Sequence, residues 1–287
     1  MINRREFLAS AGAIAAVAAR RRSAAAGDVA TVLMTRRLGS IGIQLYTVRA
    51  QMRADMPGTL AAIAAMGYRE VEFAGYFGRT PAQVRELLAT NKLASPSTHI
   101  GFDAMKADWD KTFDEALAIG QKFITVPSPP NGAAATVASW QRIADDFSTA
   151  GERAKARGLT LGYHNHDTEF AVVDGTSPLE ILITRTDRRF VSFQLDVFWA
   201  TRAGADPAAW ITKYPARFAM LHIKDSAGAP AHTQVDVGTG TIDFARILRT
   251  DLDLSHAVQH VFVEHDQPAD PMLFAKKAYD YLSALEY

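Results

Sequence analysis

Leu159-Thr160-Leu161-Gly162-Tyr163-His164-Asn165-His166 is a short apolar run ending in two imidazoles, and Glu169 follows just beyond it. The pattern recurs downstream. Asp196 closes the run 191–198, His222 closes 218–223 and Glu264 closes 260–263. Counted from Glu169 the intervals are 27, 26 and 42 residues, the length of one strand–helix unit or of one with a longer loop. Side chains at matching ends of successive parallel strands converge. Residues far apart in the chain can therefore hold one ion at the mouth of a barrel.

Working outward, apolar runs rich in strand-forming residues fall at 41–48, 70–74, 94–100, 123–128, 159–166, 191–199, 218–225 and 260–266. Between them lie stretches of helical periodicity at 57–66, 81–91, 109–120, 137–157, 178–184, 207–213 and 244–249, and 269–285 closes the chain. Thr80-Pro81, Ser177-Pro178 and Asp206-Pro207 each set a capping residue before a proline at the first helical position. Gly67 and Gly158 follow helix ends, where a left-handed residue is commonly needed. Repeated strand–helix alternation implies parallel strands. Eight units predict an α/β fold, a single (β/α)8 TIM barrel over 38–287; an open doubly wound sheet is the runner-up. No G-x-G-x-x-G follows the first strand, which weakens a dinucleotide-binding reading.

Composition narrows the function. The 31 basic residues balance 31 acidic ones, so bulk charge offers no reason to bind nucleic acid or anionic lipid. There are no cysteines, which excludes disulfides, thiolate nucleophiles, Fe–S clusters and cysteine zinc sites; any metal must be held by oxygen and imidazole. At the amino terminus, Asn3-Arg4-Arg5-Glu6-Phe7-Leu8 precedes a weakly apolar stretch at 9–19. Residues 1–30 thus read as a twin-arginine-type export signal, predicting passage through the Tat machinery to the periplasm or another exported location. The run is too short and alanine-rich to serve as a stable membrane anchor.

Glu169, Asp196, His222 and Glu264 form the candidate metal set. Three carboxylates and an imidazole make a hard, anionic pocket suited to Mn²⁺, with Mg²⁺, Co²⁺ or Zn²⁺ as alternatives. A divalent ion there would grip two adjacent oxygens of a hydroxy-carbonyl compound and stabilise the enolate left when the neighbouring C–H loses its proton. Glu169 and Glu264, from opposite sides of the barrel, would exchange protons with the two faces of the substrate.

Ile41-Gly42-Ile43-Gln44-Leu45-Tyr46, Gly67-Tyr68-x-Glu70-Val71-Glu72, Tyr163-His164-Asn165-His166, Leu195-Asp196, His222-Ile223-Lys224-Asp225 and Gly238-x-Gly240-x-Ile242-Asp243 together resemble the xylose isomerase-like barrel superfamily. The sugar phosphate isomerase/epimerase group is the nearest part of it. The resemblance implies metal ligands at Asp196, His222 and Glu264. Ketose epimerases carry a glutamate at the end of strand five, where this chain has His164-Asn165-His166. Inosose dehydratase-like relatives with Tyr-His-x-His place it slightly later, which selects Glu169 with His164 as the substitute. Displacement of that glutamate puts two-glutamate epimerisation in doubt and moves the acid/base role toward a histidine.

His166 is accordingly the third catalytic candidate. His99, His164, Lys224, Glu72 and Trp199 are candidates for substrate contact, with Tyr46, Phe73 and Phe198 as further aromatics near strand ends. The Gly238–Gly240 turn offers backbone amides, and no phosphate cradle of the P-loop kind is present. The family default is isomerisation or epimerisation of a small carbohydrate or polyol by proton abstraction next to a carbonyl. Elimination from a keto-sugar, by dehydration or loss of an alcohol from a 3-keto-glycoside, is the close rival. A non-catalytic exported sugar-binding barrel and an endonuclease IV-type nuclease are the remaining alternatives, and the neutral charge speaks against the nuclease. Self-association into a homo-oligomer is left open.

Overall fold

A period of two governs the barrel strands. In Phe218–Ile223 and the residues after it, Met220, His222 and Lys224 turn one way, while Leu221 and Ile223 turn the other way into the main core. The computed structural model describes residues 35–130 and 136–287, and Arg36–Tyr287 form one unit. The export signal at 1–30 lies outside the described residues. Among the described residues no helix is long and apolar enough to cross a membrane.

The barrel strands are β1 (Gly42–Gln44), β2 (Glu70–Phe73), β3 (Ala94–His99), β4 (Phe123–Val126), β5 (Thr160–His164), β6 (Val191–Asp196), β7 (Phe218–Ile223) and β10 (His260–Val263). They close in the order β1-β10-β7-β6-β5-β4-β3-β2, parallel throughout. A small antiparallel pair, β8 (Asp225–Ser226) and β9 (Gln234–Val235), stands in the loop after β7. The barrel interior is packed, not hollow. Phe123, Met220 and Phe262 form its apolar plug, and His222 sits on it, its ring 6.0 Å from that of Phe262. Gly162 makes this packing feasible, since a Cβ there would come within 2.6 Å of Thr125 Oγ1 on β4.

Helices α1 (Arg49–Ala54), α2 (Met56–Met66), α3 (Pro81–Asn91), α4 (Phe102–Ala107), α5 (Trp109–Ile119), α6 (Val137–Ala156), α7 (Pro178–Arg185), α8 (Val197–Arg202), α9 (Pro207–Lys213), α10 (Phe244–Leu254) and α11 (Pro271–Ala284) accompany them. Thr80 makes a full capping box with Gln83, and the hydroxyl of Ser177 and carboxylate of Asp206 cap α7 and α9. Each such cap contributes about 1 kcal/mol. Gly67 and Gly158 adopt φ of +117° and +82° as expected.

Several boundaries differ from expectation, among them the helix expected at 244–249, which runs Phe244–Leu254; two strand ends have local reasons. The run 191–199 stops as a strand at Asp196, because its Oδ1 accepts from Trp199 N at 2.9 Å and starts α8. The run 41–48 stops at Gln44, where the side-chain oxygen of Gln44 accepts from Tyr46 N and turns the chain.

Candidate metal centre and cleft

Asp196, His222 and Glu264 stand on three adjacent strands, β6, β7 and β10. Asp196 is level with His222, and Glu264 N bonds the Ile223 carbonyl. One ligand atom from each lies within 4.8 Å of the other two, and all three residues are buried. The side chain of Asn165 grips both backbone groups of Asp196, accepting from its N at 3.0 Å and donating to its O at 3.3 Å. With Asp196 Oδ1 committed to the helix cap, Oδ2 is buried without a hydrogen bond; Lys224 Nζ stands 3.2 Å and His164 Nε2 3.8 Å from it.

Beneath this set lies Glu72, fully buried. Its Oε2 accepts from His222 Nε2 at 2.6 Å and Gln44 Nε2 at 2.8 Å, with His99 Nε2 3.2 Å away, and its Oε1 accepts from Gln194 Nε2 at 2.8 Å. That last bond orients the Gln194 amide. Gln194 Oε1 must then accept, from His99 Nε2 at 2.8 Å and His164 Nδ1 at 3.1 Å. His164 therefore carries its proton on Nδ1 and presents a bare Nε2 toward Asp196. Burial depresses the His164 pKa well below the ordinary value, which keeps that lone pair available.

The charges are strongly coupled. His222 sits between Glu72 and Glu264, its Nδ1 2.8 Å from Glu264 Oε2. Burial would lower its pKa, but the two carboxylates outweigh that and raise it to about 9. Lys224 Nζ lies 2.9 Å from both Glu264 Oε2 and Asp266 Oδ1. Burial opposes its charge too, and Asp196, Glu264 and Asp266 hold it well above the usual lysine value. Glu264 is correspondingly depressed by Lys224 and His222 against the effect of burial, while burial dominates at Asp196 and raises it.

These residues fit a divalent cation. Three buried carboxylates, Glu72, Asp196 and Glu264, face Lys224 and His222, and once His222 gives up its extra ring proton to act as a ligand two negative charges are left for an ion to meet. Asp196 Oδ2, Glu264 and His222 Nδ1 are the donors that would hold the ion, with His164 Nε2 beside them at 3.8 Å from Asp196 Oδ2. His222 Nε2–H to Glu72 is then the carboxylate–histidine support expected behind a metal ligand.

Glu169 and Glu72 are both committed to protein partners. Glu169 is fully buried within the 3₁₀ turn Thr168–Phe170, where both oxygens are taken. Tyr163 Oη donates at 2.6 Å, Thr168 Oγ1 at 2.7 Å and His166 N at 3.2 Å. It pins the loop carrying His166, and it stands outside the group formed by Asp196, His222 and Glu264. Glu72 is not among the residues lining the cleft described below, and its bonds to protein side chains orient the imidazoles. The Gly238 and Gly240 amides, with those of Ser226 and Ile242, are bonded by the carboxylate of Asp225 at 2.8–3.2 Å and face no ligand. Phe73 and Phe198 are core residues.

Seven predicted residues, Tyr46, His99, His164, His166, Trp199, Lys224 and Glu264, line one cleft of about 540 Å³ together with Ala74, Gly75, Pro127, Asp266 and Gln267, a size typical of small-molecule sites. Gln44, Gln194 and Asp266 escaped the sequence reading. Gln44 and Gln194 had a signal, a lone amide inside an apolar strand. Asp266, two residues past Glu264, had none beyond that spacing.

The family model described as Xylose isomerase-like TIM barrel matches residues 60–254. An inosose dehydratase of Lacticaseibacillus casei is 24% identical over 257 residues, covering 76% of this chain and 85% of that protein. A sugar phosphate isomerase/epimerase from Parabacteroides distasonis ATCC 8503 superposes with a TM-score of 0.76 at 26% identity, covering 86% of this chain and 95% of the other. An IOLI protein with a zinc atom superposes with a TM-score of 0.67 at 13% identity, covering 85% and 98%, a likeness of fold.

Proposed function

The chain belongs to the xylose isomerase-like TIM barrel family, and we propose that it is a metal-dependent carbohydrate enzyme that removes the proton beside a carbonyl and completes an elimination. One observation carries the choice of elimination. Of the two glutamates that would serve opposite faces of a substrate, only Glu264 reaches the cleft, while Glu169 is bonded to its own loop. Without a second glutamate, two-face proton exchange lacks its partner. His166 lines the cleft, its ring 5.0 Å from that of His164 and 5.2 Å from that of Trp199. It is placed to take the proton from carbon or deliver one to a departing oxygen. Lys224, fixed by three carboxylates, presents an ammonium where negative charge builds on the carbonyl oxygen.

Asp196, His222, Glu264 and His164 are the residues that would hold the metal. The chemistry a divalent ion supplies there is Lewis acidity at the carbonyl oxygen and its neighbouring hydroxyl. Two imidazoles with two carboxylates suit Mn²⁺, Co²⁺ or Zn²⁺ better than Mg²⁺, which prefers oxygen. An inosose dehydratase as a relative along most of the chain supports elimination. The likeness to a sugar phosphate isomerase/epimerase favours the second reading, isomerisation or epimerisation. The same proposal includes twin-arginine export, supported by the motif at Arg4-Arg5.

Proton NMR in D₂O separates the readings, using ketoses, inososes and 3-keto-glycosides with each metal in turn. Release of water or an alcohol is the expected result. Deuterium beside the carbonyl of an otherwise intact skeleton would replace elimination with isomerisation. Full turnover by His166→Gln would remove histidine from the mechanism.

A further inference from the structure

The strand order divides the cleft into two chemically unlike arcs. Four consecutive strands, β5, β6, β7 and β10, contribute or lead into His164, His166, Trp199, Lys224, Glu264, Asp266 and Gln267, which hold every charged side chain lining the cleft. The other four, β4, β3, β2 and β1, contribute or lead into Pro127, His99, Ala74, Gly75 and Tyr46, without a carboxylate or a lysine.

Size points the same way. A hexose of about 12 non-hydrogen atoms fills roughly 240 Å³ at the packing density of protein interiors, less than half of the 540 Å³ present. The remaining space lies beside small side chains and one large aromatic. Tyr46 is 42% exposed, and of the exposed large hydrophobics among the described residues it is the one lining this cleft. Its ring is held in place. The Arg49 guanidinium lies 4.0 Å from the ring centroid, and Arg49 Nη1 bonds the carbonyls of Tyr46 at 2.8 Å and Asp266 at 2.9 Å. A fixed, half-exposed aromatic wall loses little entropy on stacking with a ligand ring.

We propose that the β4–β1 arc is a subsite for an aromatic aglycone, so that the substrate is an aryl glycoside and not a free sugar; this rests on the carbohydrate reading of the cleft above. A second sugar ring is a poorer occupant, since its hydroxyls need partners. On this arc the hydrogen-bonding side chains are Tyr46 and His99, and His99 Nε2 is already engaged by Gln194 and Glu72.

Calorimetric binding of phenyl and methyl glucosides to the full-length, metal-loaded protein tests the subsite without turnover, because neither probe carries a carbonyl. The phenyl glycoside is expected to bind about tenfold more tightly than the methyl one, with the ratio falling below about threefold in Tyr46→Ala and surviving in Tyr46→Phe. Equal affinities in the parent, an undiminished ratio in Tyr46→Ala, a collapsed ratio in Tyr46→Phe, or tighter binding of a glucosyl glucoside would each overturn it. Melting curves confirm that the variants fold. Aryl preference without turnover of any keto-glycoside would sink the elimination and leave the subsite standing; turnover with no aryl preference would do the reverse.

Discussion

Replacing Glu72 by glutamine tests whether the imidazoles are held from below. The substitution keeps volume and removes one charge from a fully buried position bonded by three side-chain donors and faced by His99 Nε2 at 3.2 Å. An amide supplies one oxygen and turns an NH₂ toward groups that are themselves donors. Breaking a buried, hydrogen-bonded charge pair of this kind costs about 3–5 kcal/mol. For a domain of this size each kcal/mol moves Tm by about 2–4 °C, so metal-free Tm should fall by roughly 6–20 °C. Loss of the carboxylate behind a ligating histidine should also weaken metal binding about 10- to 100-fold. Thermal unfolding by circular dichroism and calorimetric titration with Mn²⁺ or Zn²⁺ measure the two effects. A variant melting within 2 °C of the parent and binding metal equally well would show that His222 does not depend on Glu72.

Other substitutions separate further roles. Asp196→Asn and Asp196→Ala should lose metal affinity alike, but the alanine variant should be about 1 kcal/mol less stable, because asparagine still caps α8 through Oδ1; equal stability would deny the cap. Glu169→Gln should leave metal affinity within about threefold while destabilising by about 1–3 kcal/mol through loss of a buried acceptor, and a larger affinity loss would restore Glu169 as a ligand. Asp225→Asn should lower stability by about 2–3 kcal/mol, since one amide cannot accept from four backbone N–H groups; an unshifted Tm refutes that. Burial raises the pKa of Tyr68 and Tyr163 well above 10. Groups raised on folding contribute full stability below the unfolded value and lose it as pH climbs past it, so alkaline unfolding should set in above about pH 10. Tyrosine absorbance at 295 nm should rise together with loss of helical signal; ionisation of all tyrosines in the folded state would contradict this.

The barrel was legible because its signals are local and repeated: period-two runs, proline-led caps and glycines after helices. The convergence of Asp196, His222 and Glu264 was legible for a related reason, since a carboxylate or imidazole closing an apolar run lies at the strand end where parallel strands meet. Depth was not legible. Glu72 also lies at a strand end, yet its level in the barrel is set by register against Gln44, which places it under the imidazoles. Glu169 follows β5 at a plausible distance, but the turn Thr168–Phe170 folds it onto Tyr163 and Thr168. Helices α1, α4 and α8, six residues each, are shorter than the window in which helical periodicity can be counted.

The two arcs of the cleft and its charge balance have a common origin. Buried carboxylates are tolerable only where cations or donors reach them. His222 and Lys224 stand on or just beyond β7, flanked in the barrel by β6 and β10. From there Lys224 reaches Asp196, Glu264 and Asp266, and His222 reaches Glu264 and Glu72. On the opposite side Glu72 of β2 is met by His222 below the lining, and among the described residues no carboxylate or lysine lines the cleft there. Concentrating the charged groups on β5 to β10 thus leaves the opposite wall neutral, and a neutral wall beside an ionic one imposes direction on whatever enters. The polar, reacting end of a ligand turns to Lys224 and Glu264, and its uncharged substituent falls toward Tyr46.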